Sequence, residues 1–122
     1  MFDFLMKLFG QAKVDLEVSL DTGVNPAVTV SNPDLEAKGR KIRWTRKAGQ
    51  TFKFERLNDL NQVYFDKQSI NLNRTKISCN NRAPDANGAD KYHYEILVKL
   101  GNDVYSTTKQ GAPPDDKPVI RN

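Results

Sequence analysis

The chain has 122 residues, 38% of them hydrophobic and 28% charged, with a net charge of +4. That length suits a single domain able to bury about two-thirds of its unfolded surface without covalent staples. One cysteine excludes an intrachain disulfide, a single histidine excludes a blue-copper site, which needs two, and one Cys with one His cannot supply the four ligands of a structural zinc site.

The first ten residues, MFDFLMKLFG, place Phe2, Leu5, Met6 and Phe9 opposite an Asp3/Lys7 stripe if helical. Asp3 precedes any lysine, Lys7 interrupts the apolar run, and no small-residue cleavage motif follows, so the pattern is not that of a secretory leader. Residues 1–11 are expected to form a short helix or capping segment that covers an open end of the core or docks onto another surface. Residues 12–122 are expected to form one domain. No run approaches the ~20 apolar residues of a membrane-spanning helix. With the lone Cys79, these features set the expectation of a cytoplasmic protein without a membrane span.

From residue 13 onward the hydrophobic period is two. Val14, Leu16, Val18 and Leu20 alternate with polar residues, and Val28 and Val30 repeat the pattern after the DTGVNP turn. NPDLEAKG breaks it, as either a helical turn or a loop. Ile42 and Trp44, then Phe52 and Phe54 beyond KAGQ, predict two strands joined as a hairpin. Short strands follow around Val63–Phe65, Ile70–Leu72 and Ile77–Cys79. A loop rich in Asn, Asp and Gly spans residues 80–90. Tyr92, Tyr94, Ile96, Val98 and Leu100 then define one face of the strongest strand, which turns at GND into VYSTT. Val119 and Ile120 can pair along an edge, Pro118 arguing against a central position.

About eight short strands at ten-residue spacing predict an all-β, antiparallel two-sheet sandwich. The long terminal hairpin DKYHYEILVKLGNDVYSTT resembles that of immunoglobulin-like or cupredoxin-like sandwiches in architecture. Trp44 and Cys79 invite comparison with the immunoglobulin core, but the second cysteine is missing.

No constellation for nucleophilic catalysis, metal binding or a cofactor emerges. His93 lies mid-strand opposite the tyrosine face, and Cys79 shares parity with Ile77 and so packs inward. Asp85, Asn87 and Asp90 around Gly88 carry oxygen ligands of the sort calcium uses, yet lack the distal bidentate glutamate, and fit turn chemistry. Asp15/Glu17 and Asp115/Asp116 read as solvated charge. Asn73–Thr75 matches a glycosylation acceptor pattern, meaningful only in a secreted protein. Tyr64 and Tyr105 are candidates for an exposed carbohydrate-binding surface.

Charge is the remaining signal. Residues 38–56 hold eight of the nineteen basic residues and one of the fifteen acidic ones, a net of +7, while the rest of the chain carries −3. If Ile42, Trp44, Phe52 and Phe54 enter the core, Lys41, Arg43 and Lys53 project together from the other face, with Arg46 and Lys47 near the strand ends. These five residues are the candidate partner-binding set. A base-stacking surface needs its aromatics outside among the cations. The expectation is therefore a non-enzymatic binding module that meets an acidic protein through this basic hairpin and the 80–90 loop. The alternatives are phosphate-driven nucleic-acid binding by the same hairpin, and a structural subunit docking through residues 1–10.

Overall fold

Eleven strands and no helix occur in residues 12–108 and 117–122, the part of the chain described by a computed structural model. They are β1 (Lys13–Asp21), β2 (Ala27–Val30), β3 (Asp34–Glu36), β4 (Lys41–Arg46), β5 (Lys53–Asn58), β6 (Ser69–Ile70), β7 (Lys76–Cys79), β8 (Lys91–His93), β9 (Glu95–Leu100), β10 (Asp103–Ser106) and β11 (Val119–Arg121). Three sheets result: a five-stranded sheet in the order β2-β1-β4-β7-β6, and two three-stranded sheets, β10-β9-β5 and β3-β11-β8. The all-β class agrees with the sequence, and the multi-sheet arrangement fits a β-sandwich. The expected N-terminal helix or cap falls on residues outside the described part.

The five-stranded sheet faces β10-β9-β5. β2 touches β9 and β10 at one side, and β7 touches β5 at the other. Between them lie Leu16, Val18, Ile42, Trp44, Ile77, Phe52, Phe54, Ile96 and Val98, all buried. Alternation predicts this core strand by strand, since successive side chains of a strand point to opposite faces. The small sheet β3-β11-β8 adds Leu35 and Ile120 to the same cluster.

Pairing departs from the antiparallel expectation at two places. β1 runs parallel to β4, with Leu16 opposite Trp44, and β3 runs parallel to β11, with Leu35 opposite Ile120. A parallel pair needs a crossover of about a dozen residues or more. Residues 22–40 supply it, passing through β2 and then β3, so NPDLEAKG contributes a strand where a helical turn or loop was expected. β11 occupies the centre of its sheet, not an edge; Pro118 is tolerated because it stands just before the first paired residue, Val119.

The predicted hairpin does not form. β4 pairs with β1 and β7, while β5 pairs with β9 in the opposing sheet. Residues 47–52 arch from one layer to the other. Gln50 secures the arch: its Oε1 accepts the Leu20 N–H at 2.9 Å and its Nε2 donates to the Leu20 carbonyl at 2.8 Å, so a side-chain amide imitates a ladder residue beside β1. The arch has an energetic logic. A hairpin in one sheet would place Trp44 and Phe54 on the same face and require other residues to cover them. The arch instead sets the two strands' apolar faces against each other.

Two further local signals differ. Val63–Phe65 is a turn rather than a strand: Asn61 Oδ1 accepts N–H groups from Val63 at 2.9 Å and Tyr64 at 3.1 Å, and the Phe65 N–H closes onto the Asn61 carbonyl at 2.9 Å. This delivers Phe65 into the core. Leu72, expected in a short strand with Ile70, sits in the β6–β7 turn and is exposed. The strongest strand is divided between β8 and β9 at Tyr94, which belongs to neither and whose N–H donates to the Pro118 carbonyl at 3.0 Å. Its ring meets Trp44 edge-on, with centroids 5.2 Å apart at 62°, and its hydroxyl accepts the indole N–H at 3.2 Å.

Candidate functional site

The parity on which the binding reading rests holds: Trp44, Phe52 and Phe54 are 0%, 1% and 0% exposed. Phe52 and Phe54 pack edge-to-face at 5.7 Å. None of these rings is available to stack on a base.

The arch separates the five candidate cations. Lys41 and Arg43 project from the outer face of the five-stranded sheet, and Lys53 from the outer face of β10-β9-β5. Arg43 forms a two-pronged contact with Asp15, Nε to Oδ1 at 2.6 Å and Nη2 to Oδ2 at 3.1 Å, so most of its field is cancelled. This contact holds the Asp15 carboxyl below its ordinary range. Lys41 lies opposite Lys13, beside that same aspartate. Arg46 ties the arch down by donating Nη1 to the Phe52 carbonyl at 2.8 Å. Lys47 is exposed at the start of the arch.

Strand directions place the turns 22–26, 47–52, 71–75 and 101–102 at one end of the molecule, because β1, β4, β6 and β9 run toward it and β2, β5, β7 and β10 run away. Lys47 and Lys53 are at this end. So is Lys99, directly opposite Lys53 on β9, and sequence reasoning had not singled it out. Two large apolar side chains are also bare there: Val24 and Leu72, each 98% exposed. The 80–90 loop lies at the other end, before β8. Asn122 fixes that loop by accepting the Ala86 N–H at 3.1 Å on its backbone carbonyl and donating Nδ2 to the Ala83 carbonyl at 2.7 Å. Asp85 Oδ1 caps its own turn through the Asn87 N–H at 2.9 Å. The loop and Lys53 therefore cannot share one flat contact surface.

Beside Lys53 and Lys99 is a cleft of about 410 Å³ lined by Thr51, Lys53, Glu55, Arg74, Lys99 and Gly101. Arg74 is placed by the β6–β7 turn. Asn71 Oδ1 accepts from Thr75 N–H at 2.7 Å and Lys76 N–H at 3.0 Å, and Arg74 adopts a left-handed backbone, φ 57°. Its guanidinium then bridges to β5, Nε to the Phe54 carbonyl at 2.7 Å and Nη2 to the Glu55 carbonyl at 2.9 Å. A second cleft, of about 450 Å³, opens between β5 and β6 over Leu57, Phe65, Ile70 and Ile77, with Arg56, Lys67, Glu55 and Asp66 at its rim.

The remaining candidates are accounted for. Cys79 is buried and desolvation pushes its thiol up to about 12, which keeps it protonated. His93 is half-buried on β8 opposite Val119. Tyr64 packs on Tyr92 at 5.9 Å and Tyr105 packs against the core from β10, so the two do not form one exposed platform. Among the described residues, no helix is long and apolar enough to cross a membrane. No protein-family model and no curated protein matches the chain, so the geometry carries the functional reading.

Proposed function

We propose that this protein is a non-enzymatic binding module that captures an acidic protein partner through its turn-bearing end, with Lys47, Lys53 and Lys99 as the contact cations. The observation that carries this is the coincidence at one end of exposed cations and two fully bared apolar side chains, Val24 and Leu72. Cations draw in an acidic surface, and apolar tips add contact area that a phosphate backbone does not use. Burial of the aromatic rings weighs against single-stranded nucleic acid, and the protonated thiol and half-buried histidine weigh against covalent or acid–base catalysis. The fold belongs, in this reading, with immunoglobulin-like or cupredoxin-like sandwiches, which also present turns at the ends of facing sheets.

The test is fluorescence anisotropy with a labelled poly-glutamate peptide and labelled single-stranded DNA across a salt series. Wild type should prefer the peptide. The triple variant Lys47→Glu, Lys53→Glu, Lys99→Glu should lose it, and Lys41→Glu with Arg43→Glu should retain it. Equal binding by both variants, or preference for DNA, would overturn the assignment.

A further inference from the structure

The cleft between Arg74 and the Lys53–Lys99 pair has a charge arrangement that the fold alone does not require. Residues directly opposite on antiparallel strands hold their Cβ atoms about 4.5–5.5 Å apart, and like charges there repel. Lys53 and Lys99 occupy such a pair, and neither makes an ion pair among the described residues. Arg74 spends Nε and Nη2 on the β5 carbonyls, while Nη1 takes no partner among the described residues. Among the described residues, Glu55 is the only carboxylate lining the cleft. Three cations against one anion leave a local excess of two positive charges, with the Thr51 hydroxyl as an added donor.

The other in-register lysine pair shows the difference. Lys13 and Lys41 also face each other, but on an open sheet surface beside Asp15, with their neighbouring arginine already paired to that aspartate. A cleft of about 390 Å³ on that face is lined by Arg43 and Lys76 but also by Asp15 and Glu17, so its charges cancel, and although Arg43 likewise commits only Nε and Nη2, both go to a carboxylate that neutralises it.

We propose that the Lys53–Lys99–Arg74 cleft is a site for a phosphate monoester, presented as a phosphorylated side chain by the protein partner. A monoester carries about −1.5 to −2 charge at pH 7 and three acceptor oxygens, which matches the local excess and the three donor groups. A carboxylate supplies half that charge, and the diester of a nucleic-acid backbone also carries a single charge. The source on a protein rests on the reading of this end as a protein-contact surface; the chemistry of the cleft does not.

The experiment follows backbone amide resonances of the full chain during titration with four probes. These are inorganic phosphate, a short phosphoserine peptide, its unphosphorylated twin and a dinucleotide. Phosphate and the phosphopeptide should shift the amides of Thr51, Lys53, Lys99 and Gly101, the twin should not, and the dinucleotide should do so at least several-fold more weakly. Affinity should fall as pH drops through about 6, where the monoester takes up its second proton. Lys53→Gln and Lys99→Gln, both surface changes, should each weaken binding roughly tenfold. Equal shifts at Lys13 and Lys41, no change at saturating phosphate, or an unphosphorylated twin that binds as well would each overturn the site. If inorganic phosphate shifts the cleft but poly-glutamate is not captured, the site stands and the acidic-partner reading falls. The reverse pair of results removes the site and leaves the contact surface.

Discussion

Replacing Tyr94 by Phe tests how the centre of the molecule is held. The substitution keeps the ring and its edge contact with Trp44 but deletes the hydroxyl that accepts the indole N–H at 3.2 Å. Both side chains are wholly buried, so the orphaned indole donor finds no bulk water. An unpaired buried polar group costs about 1–3 kcal/mol, against a negligible change in apolar area. For a domain of this size each kcal/mol corresponds to a shift of roughly 3–5 °C in the thermal midpoint. Urea unfolding is the suitable assay, because Trp44 is the only tryptophan and reports from the affected pair. A Trp44→Phe, Tyr94→Phe double-mutant cycle, followed by circular dichroism, should return a coupling energy of about 0.5–3 kcal/mol. A Tyr94→Phe midpoint indistinguishable from wild type would show that the indole N–H does not depend on that hydroxyl, and the account of a polar clamp in the core would fail.

Alkaline pH should destabilise the protein through Cys79. Its thiol is raised from 9.0 to about 12 by desolvation, so the unfolded chain ionises first and native stability falls as pH climbs from about 9 toward 12. Urea midpoints across that window should fall less steeply in Cys79→Ala, whatever its starting stability; an unchanged slope would refute the linkage. The Asp15–Arg43 contact works in the opposite direction. Asp15 is lowered chiefly by its hydrogen bond to Arg43, so the stability it adds is present above the ordinary carboxylate range and disappears as pH falls through the folded value. Because the pair is solvent-exposed, Arg43→Ala should cost less than about 1 kcal/mol at neutral pH. A larger loss in thermal unfolding would mean that Arg43 also positions β1 against β4.

Side-chain parity was legible in the sequence because it is local. Two atoms on alternate sides of a strand need no knowledge of neighbours, so Trp44, Phe54, Ile77 and Cys79 could be assigned inward from spacing alone. Sheet membership was not legible. It depends on whether residues 47–52 turn back within a layer or arch across to the other, and KAGQ is compatible with both. What decides is Gln50 reaching Leu20, thirty residues away in sequence. The same limit explains the turn at Val63–Phe65. The apolar run resembles a strand until Asn61 is seen to take up its N–H groups, and short apolar runs are ambiguous by periodicity.

The basic segment shows why a charge count along the chain predicts a binding face poorly. Of its eight cations, Arg40 donates to the Ala37 and Glu36 carbonyls, Arg46 to that of Phe52, and Arg43 to Asp15. These arginines hold connections and strands together, as suits a planar multi-donor group. Its lysines form no such side-chain contacts among the described residues, and the arch sets Lys41 and Lys53 on opposite outer faces. The cleft that remains is completed by Lys99 and Arg74, which are 46 and 21 residues from Lys53 in sequence and join it only through the β5–β9 register and the β6–β7 turn. A window scan registers neither, because each sits among residues of mixed charge. Net field at a surface point therefore follows from which cations the backbone leaves unused and which strands the fold sets side by side. In this protein both criteria select Lys53 and Lys99 over the denser run that contains Arg40, Arg43 and Arg46.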